Sequence, residues 1–573
     1  MAEDTPARAP LPHAPDAGEV PRVSSAIPFA DRPPAFRGLF RTDVEARALY
    51  AEGAGIARCL PSAVAVPADS EDVATLVRWA RDTGTPLIPR GSGSGMAAGA
   101  VGPHLLVDLS RLRTLGVVDP VARRVVAGAG VRLAEVNAAA REHGLRVPVD
   151  PSSAAFCTVG GMAATNAAGA RTLRYGATRP WVQAIHAVFD NGEHAWIRRG
   201  AHAPMEIPAV ARLTEACTTL RALPPDVRAV LRRPGVRKES SGYGLADALA
   251  PGGDLVDLLV GSEGTLALFT AIEWQLDPMP TATATLLATF STLEDAAACA
   301  VAAGAAGAAA CELLDRTFLD IAESGESTGI SREAEAVLLI ALEGAEVDEV
   351  QALLDAVRGE AHRHHAAMLR DAVDVAQERT LWALRHAASP ILAALAPRLR
   401  SMQFIEDGCV PPDRFPAYVR GVRHALARAG CPGVIFGHAG DAHAHVNPLV
   451  DTTAAGWRDR VRGLLEEVVA LTSDLGGTLA GEHGDGRLRA PFWTRSWAPD
   501  AVSAFHAVKR AADPANLLNP GCKVASPEAL PFTTLRHDPT ANPLPIAARR
   551  TLDAIEKQRD WGRFRLAGLI DAP

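Results

Sequence analysis

Cysteine is scarce in this chain and nowhere closely spaced. The eight cysteines among 573 residues form no CxxC pair, so the sequence predicts neither an iron–sulfur cluster nor the disulfide framework of a secreted domain. The N-terminal stretch is acidic and proline-rich and lacks the apolar core of a signal peptide. We therefore expect a protein of the reducing cytoplasm, with or without peripheral association with a membrane.

Long hydrophobic runs are also missing. The most apolar stretch, AAACAVAAGAAGAAACELL, is bounded by Glu294, Asp295 and Glu312 and offers about 16 apolar residues, fewer than the roughly 18 to 20 that a membrane span needs. A positive charge excess is absent too, since 58 basic and 66 acidic residues are interspersed and give a formal charge of −8. The sequence predicts no transmembrane span and no nucleic-acid partner.

The chain does contain an alternation of short β-branched runs and alanine-rich helical stretches, from about residue 55 to 280. A helix is predicted between the runs AVAVPAD and TPLIPR, opened by Asp72 and closed by Gly84. Pro278 and Pro280 then interrupt the pattern before a new apolar strand. This pattern is typical of an α/β or α+β fold, and its interruption indicates a domain boundary near residue 280.

A glycine-rich loop follows the second of these runs. In PRGSGSG, residues 89–95, Gly91, Gly93 and Gly95 alternate with small residues, so successive backbone N–H groups can converge on an anion such as a diphosphate. The string GSGMAA formally fits a Rossmann dinucleotide fingerprint, but Gly99 and Pro103 would break the helix that this fingerprint must open. The loop by itself is as compatible with a structural turn as with a nucleotide site.

Four strings together resemble a known family. PRGSGSG, DPSSAAFCTVGGMAATNAAG, LRYGATR and VGSEGTLALFTAI are similar to the FAD-binding domain of the vanillyl-alcohol-oxidase (PCMH) type. They most resemble its D-2-hydroxyacid dehydrogenase branch, which includes D-lactate, glycolate and D-2-hydroxyglutarate dehydrogenases. The resemblance implies an α+β fold with a two-lobed FAD-binding domain and an α+β cap domain with an antiparallel sheet. It also implies a D-lactate-like or related 2-hydroxyacid as the substrate.

The domain boundaries follow from the resemblance and the breaks in the pattern. We expect a disordered leader at 1–35, the FAD-binding domain at 36–280, a substrate or cap domain with the metal and catalytic motifs at 281–489, a segment at 490–524 that returns to the FAD-binding domain, and a C-terminal extension at 525–573.

The resemblance also implies which residues contact the cofactor. The glycine loop would cradle the FAD diphosphate, and the string SEGT would hold the cofactor from the opposite side. The loop has no histidine where some relatives attach FAD covalently, so we expect noncovalent FAD. The predicted contacts are Pro89, Arg90, Gly91, Ser92, Gly93, Ser94, Gly95, Ser152, Gly160, Gly161, Thr165, Asn166, Gly169, Glu263, Gly264, Thr265 and Asn519.

The second half of the chain supplies candidates for the chemistry. A flavin accepts a hydride from a carbinol carbon only if the neighbouring hydroxyl loses its proton, which calls for a base and a group that stabilises the alkoxide. Glu482, in GEHG, could join His438 and His445, in FGHAGDAHAHVNP, on one divalent cation, with His483 as the catalytic base. Zinc is the first candidate, followed by manganese or iron. One glycine-flanked histidine is more often merely solvated, but these motifs match the family jointly.

His443 lies between the two candidate metal histidines, at a place where many relatives have asparagine. Two residues before His445, it would share that residue's face on a strand. Its role as a ligand, an outer contact or neither stays open.

A substrate carboxylate needs a cationic partner. Arg385 and Ser389 share one face of a helix predicted over ERTLWALRHAAS, and a planar guanidinium can bind a carboxylate through two hydrogen bonds. Arg385 matches the family's substrate-carboxylate arginine, with Asn447 as a further substrate contact; without that context, a surface arginine would be expected. Ile405 stands where hydroxyglutarate-specific enzymes have a lysine, which argues against recognition of a second carboxylate.

Other interpretations differ in where the electrons go. The strings GEHGDGR and EDGCVPPDRF resemble long relatives with a fused iron–sulfur module, whose cysteines this chain lacks. The acceptor would then be a quinone, a cytochrome, an electron-transfer flavoprotein or a separate iron–sulfur protein. The alternatives are an alcohol oxidase using O₂, a nonredox relative of the ether-lipid synthase type, or a noncatalytic flavin-binding subunit of an oxidase complex. The particular hydroxyacid, the metal and the oligomeric state stay open.

Overall fold

The computed structural model describes residues 32–322, 329–386, 399–525 and 535–558, together with 561, 565 and 567–569. Its strands form two four-stranded sheets, one two-stranded sheet and one large sheet. The two four-stranded sheets lie before residue 280 in the chain, and the large sheet lies after it. Helices and mainly antiparallel sheets make this the predicted α+β fold.

The first sheet carries the glycine loop at the end of one strand. Its strands are, in spatial order, Leu39–Arg41, Ala63–Val66, Leu105–Asp108 and Leu87–Arg90. The first pair is antiparallel and the other pairs are parallel. The predicted helix is present as Ser70–Thr83, but its N-terminal cap is Asp69, whose side chain accepts the N–H of Asp72; Gly84 ends it in the left-handed conformation.

The second sheet is wholly antiparallel and completes the first half of the chain. In spatial order its strands are Arg124–Gly128, Leu268–Gln275, Val182–Val188 and His194–Arg198. A small antiparallel pair joins Leu145–Arg146 to Asp277–Pro278. The helix Ser70–Thr83, which packs on the first sheet, also contacts the strands Val182–Val188 and Leu268–Gln275 of the second.

The large sheet is antiparallel throughout and is the central sheet of the second half of the chain. In spatial order its strands are Met368–Ala372, Ala282–Phe290, Ala336–Gly344, Ala310–Asp315, Gly433–Gly437, His443–Asp451 and Leu399–Ser401, with Gly408–Cys409 also paired to His443–Asp451. The strand Ala336–Gly344 is buried along its whole length. Its alternate residues enter two separate apolar clusters, so both faces of the sheet are covered.

The helices cover these sheets. Those of the first half are Val44–Leu49, Ser70–Thr83, Leu133–Arg141, Val159–Thr165, Thr172–Tyr175, Pro208–Arg221, Pro225–Ala229, Leu245–Ala248 and Leu255–Leu259. Those of the second half are Leu293–Ala305, Arg316–Ala322, Val347–Arg363, Val375–His386, Phe415–Arg428, Trp457–Asp474, Gly486–Arg489, Trp493–Ser496, Pro499–Ala512 and Ile546–Gln558. Within the described ranges, no helix combines the length and apolar character required to cross a membrane.

The chain returns to its first half near the C-terminus. The helix Pro499–Ala512 packs against Pro208–Arg221, and the backbone of Leu87 exchanges hydrogen bonds with Leu517 and Asn519. The last helix, Ile546–Gln558, packs against Val44–Leu49.

Asp315 should make stability depend on pH. It is buried at the end of its strand, where Oδ1 accepts the N–H of Phe318 at 2.9 Å, and burial raises its pKa to about 7. The raised pKa means that the folded state favours the protonated form, so the associated stability is present at low pH and is lost as pH rises toward 7. Asp315→Asn keeps the acceptor without the charge. The variant should therefore gain more melting temperature relative to wild type at pH 8 than at pH 5.

The control is Asp459→Asn, because the Asp459 side chain is 84% exposed. Thermal unfolding of the three proteins at both pH values is the measurement. An Asp315→Asn variant that shifts the melting temperature equally at pH 5 and pH 8 would contradict the assignment.

Candidate active site

A cavity of about 830 Å³ lies where the two halves of the chain meet. The glycine loop, the segment around residues 151–165 and Glu263 line one side, and Arg385, His445, Asn447, Glu482 and His483 line the other. The cavity has the size of a cofactor or ligand site.

The glycine loop fits an anionic diphosphate. The backbone N–H groups of residues 91–96 donate to none of the described residues, while the loop lines the cavity. Gly93 has a φ of 77°, and a side chain there would collide with the guanidinium of Arg90. At Gly95 a side chain would enter open space. The loop therefore offers a run of free donors at a concave wall, which suits a diphosphate.

The side chain of Arg90 lies behind the glycine loop, in the protein interior. Its guanidinium is buried and donates to the carbonyls of Tyr50, Glu52 and Ala100. The side chain thus supports the loop from the protein interior.

The second predicted cofactor surface is the helix Val159–Thr165. Thr158 caps it by accepting the N–H of Gly161, and a side chain at Gly160 would strike Ala129. Ser152, Gly160, Gly161 and Thr165 line the cavity.

Three predicted cofactor residues lie behind the cavity wall. Asn166 ends the helix in the left-handed conformation, and its Oδ1 accepts the N–H of Arg179. The carbonyl of Gly169 accepts from Lys238, and Thr265 hydrogen-bonds Tyr243.

Glu263 joins the two halves at the cavity. Its φ of 53° is left-handed, and its carboxylate accepts the N–H groups of Asp485 and Gly486 at 2.8 and 2.9 Å. The side chain of Asn519 donates to the Glu263 carbonyl at 2.7 Å. The segment that carries Glu482 and His483 is thereby attached to the cofactor half of the chain.

Three predicted metal ligands converge in the second half. His438 follows the strand Gly433–Gly437, His445 lies on His443–Asp451, and Glu482 lies in a loop. The Nε2 atom of His438 is 3.2 Å from Oε1 of Glu482 and 3.4 Å from Nε2 of His445, which is itself 3.4 Å from that oxygen. Tetrahedral zinc ligands lie about 3.3 Å from one another, so the three atoms fit one face of such a site.

Their other polar atoms are fixed by neighbours. Nδ1 of His438 is 2.5 Å from Glu312, and Nδ1 of His445 is 2.8 Å from the Glu406 carbonyl. Lys238, which is wholly buried, donates to the second oxygen of Glu482 at 3.0 Å. These contacts leave both Nε2 atoms and one carboxylate oxygen directed at a common point, as outer contacts do in metal centres.

His443 is close to this cluster but is tied elsewhere. Its ring is fully buried, packs edge-on against His445 with ring centres 4.7 Å apart, and has Nε2 at 2.9 Å from Asp407. Burial lowers its pKa to about 3. One of its nitrogens lies within 4.8 Å of the three ligand atoms, but the contact with Asp407 favours an outer position.

His483 faces the cavity beside the cluster. Its ring stacks on His445 at 5.2 Å with an interplanar angle of 8°. Nδ1 lies 3.2 Å from Glu406, and the backbone N–H donates to Asp407 at 2.9 Å. Burial opposes protonation, but Asp407 and Glu406 outweigh it, so the pKa of His483 lies above its usual value. The imidazole is a strengthened proton acceptor with Nε2 free of those carboxylates.

Arg385 reaches the cavity from the helix Val375–His386. Its Nε donates to Glu312 at 2.6 Å, and its guanidinium lies 5.1 Å from the ring centre of Phe436. Its terminal nitrogens have no hydrogen-bond partner within the ranges that the structure describes, so they can receive a ligand carboxylate. Asn447 also lines the cavity. Ser389 lies outside the described residues, and Ile405 is buried in the apolar core of the second half.

Sequence reasoning missed several buried partners, among them Glu312 and Lys238, as well as Glu406 and Asp407 beside His483. Glu312 binds both His438 and Arg385, and Lys238 binds Glu482. A carboxylate within the apolar strand ACELLD was an available signal for Glu312, because buried acids are normally paired. Lys238 had no comparable signal.

Comparisons with known proteins identify the family of the chain. Residues 61–198 match the family described as FAD binding domain, and residues 279–522 match FAD linked oxidases, C-terminal domain. The D-lactate dehydrogenase of Archaeoglobus fulgidus is 31% identical over 464 residues, which cover 80% of this chain and 90% of that protein. The glycolate oxidase subunit GlcD of Bacillus subtilis is 28% identical over 466 residues, covering 81% and 88%.

A solved structure is similar in fold. The 4-ethylphenol oxidase from Gulosibacter chungangensis aligns with a TM-score of 0.60 over 85% of this chain and 94% of that one, at 16% identity. At this identity the likeness concerns the fold alone, which is the predicted vanillyl-alcohol-oxidase type.

Proposed function

This chain belongs to the FAD-linked oxidases, and on that premise we propose that it oxidises a D-2-hydroxyacid to the 2-oxoacid with the help of a divalent metal and a histidine base. The observation that carries the proposal is one cavity lined by the glycine loop, the guanidinium of Arg385, the half-buried imidazole of His483, and His445 and Glu482. His438 contacts both His445 and Glu482 and completes the three converging ligand atoms. The hydroxyacid names of the relatives support the substrate class.

FAD is the cofactor, and when bound it accepts the hydride that leaves the substrate's carbinol carbon. We assign its diphosphate to the free amides of residues 91–96 and its ring system to the small residues of Val159–Thr165 and the turn at Gly264. Attachment would be noncovalent, so acid precipitation should release the flavin.

His438, His445 and Glu482 would hold the metal. A divalent cation there would draw the substrate's oxygens toward it and lower the pKa of the hydroxyl. Two imidazoles and one carboxylate are a donor set that suits zinc, with manganese or iron as alternatives.

Arg385 and Asn447 would orient the substrate. The terminal nitrogens of Arg385 would receive the carboxylate in a bidentate pair, while Glu312 fixes Nε from the other side. Asn447, close by on the cavity wall, would donate to or accept from an oxygen of the substrate.

His483 would take the hydroxyl proton at Nε2. Glu406 fixes the opposite nitrogen, so the ring keeps one orientation and the free nitrogen stays at the cavity.

The electrons then leave for an external acceptor. A quinone, a cytochrome, an electron-transfer flavoprotein or a separate iron–sulfur protein would serve, because the eight cysteines of this chain are unpaired and scattered. The B. subtilis relative is named as a subunit, which supports a partner chain in this role.

The reaction is tested by anaerobic flavin reduction. D-2-hydroxyacids should bleach the flavin absorbance of the purified protein, and their L-enantiomers should not. Rapid mixing with a panel of both series is the measurement. A flavin-loaded protein that no hydroxyacid reduces would contradict the proposal, while stoichiometric peroxide in air would favour the oxidase alternative.

The metal assignment is tested by composition. Wild-type protein dialysed against zinc and then metal-free buffer should keep about one equivalent, and Glu482→Gln should lose most of it, because one of three ligands becomes neutral. Glu466→Gln, on the exposed face of Trp457–Asp474, is the matched control. Equal metal content in all three proteins, measured by inductively coupled plasma mass spectrometry, would remove the assignment.

Arg385→Lys tests substrate orientation. Lysine keeps a cation for Glu312 but lacks the planar pair of donors, so kcat/KM should fall by about tenfold or more, mainly through KM. Arg379→Lys on the same helix, where the side chain is exposed, should behave as wild type. An unchanged KM in Arg385→Lys with full flavin content would contradict a role for Arg385 in binding the substrate carboxylate.

A further inference from the structure

The C-terminal extension returns to the cofactor cavity. It begins after residue 522, where the match to the FAD-linked oxidases ends, yet Arg536, Lys557 and Trp561 line the same cavity as Ser92 and Phe156. Trp561 and Phe156 also share a small apolar cluster. The extension therefore contributes directly to the wall of the cavity.

Residues 49–58 provide several of the contacts that hold the extension. Leu535 pairs with Ala57, and the N–H of Arg536 donates to the Ile56 carbonyl at 2.8 Å. Arg549 donates to both carboxylate oxygens of Glu52, at 3.0 and 2.9 Å.

Arg565 connects this segment to the glycine loop. Its side chain is 1% exposed and donates to four main-chain carbonyls. The acceptors are Leu49 at 3.0 Å, Glu52 at 2.9 Å, Ser92 at 3.0 Å and Trp561 at 2.9 Å. One guanidinium thus ties the extension, the segment 49–52 and the loop together.

These bonds set the direction of two loop peptides. The Ser92 carbonyl points to Arg565, and the Gly93 carbonyl accepts from the N–H of Ala54 at 3.0 Å. In a trans peptide the N–H points away from its carbonyl, so the N–H groups of Gly93 and Ser94 are directed away from these anchors. Those two groups are among the loop donors that have no partner within the described part of the chain.

The charge behind the loop is also uneven. Arg90 and Arg565 share the Glu52 carbonyl and lie 5.5 and 5.9 Å from the Tyr50 ring centre. The carboxylate that balances these two guanidinium groups is Asp108, which accepts a hydrogen bond from the Tyr50 hydroxyl at 2.6 Å. The Glu52 carboxylate does not do so because it is paired with Arg549. Two buried cations facing one carboxylate favour an anion at the loop.

We propose that Arg565 is a positioning residue for the FAD diphosphate, and that the C-terminal extension is an integral part of the cofactor site. The residue fixes the orientation of the loop amides and adds positive charge behind them. Bound diphosphate, in turn, stabilises the docked extension.

Ligand binding to the flavin-free full-length protein tests the proposal. Arg565→Gln should weaken FAD and ADP by about tenfold or more, because a charged donor to the loop is lost, and should leave riboflavin, which has no phosphate, unchanged. Arg565→Lys should recover part of the loss, since it restores the charge. Arg550→Gln, which changes an exposed arginine of the helix Ile546–Gln558 in the same extension, is the matched control.

Equal loss for FAD, ADP and riboflavin would mean a merely structural role and would overturn the proposal, as would no loss at all. Hydrogen exchange of the wild-type chain gives a second test that does not require a variant to fold. ADP should slow exchange in peptides from residues 535–558. Unchanged exchange there at saturating ADP would reject the coupling, whatever the substrate of the enzyme proves to be.

Discussion

The buried carboxylate of Glu312 contacts both the candidate metal ligand His438 and the candidate substrate-binding Arg385. Oε1 accepts from His438 and Oε2 accepts from Arg385, in the centre of an eight-stranded sheet. Burial raises the pKa of this carboxyl, but His438 and Arg385 outweigh that effect and hold it well below its usual range. A charge kept ionised in an apolar sheet needs both partners, so the position of the Arg385 guanidinium and the orientation of the His438 ring depend on the same side chain.

Much of the fold was accessible from the sequence because its signals are local. The helix Ser70–Thr83 and its terminal Gly84 follow from apolar spacing and a left-handed glycine, and the error at its start, where Asp69 caps instead of Asp72, is a matter of one turn. The glycine loop and the grouping of His438, His445 and Glu482 were predicted from motifs, and the structure brings these residues together. Their roles remain proposals.

Contacts that depend on how the strands of a sheet are aligned could not be predicted from the sequence. Glu312 lies 126 residues before His438 and meets it because Ala310–Asp315 pairs with Gly433–Gly437, with Leu313 opposite Gly437. Lys238 meets Glu482 across 244 residues. Asn166 and Gly169 belong to a string that resembles a cofactor-binding motif. The chain turns at Asn166, which has a left-handed conformation, and the Asn166 side chain and the Gly169 carbonyl make hydrogen bonds behind the cavity wall.

Glu263 has a mechanical consequence. The loop of Glu482 and His483 is bound to the cofactor half through Glu263 and to the sheet of the other half through Asp407. If the two halves swung apart, this loop would be pulled from both ends. Any opening between the halves must therefore break the hydrogen bonds of Glu263 or those of Asp407, so this loop acts as a clasp that holds the cavity closed.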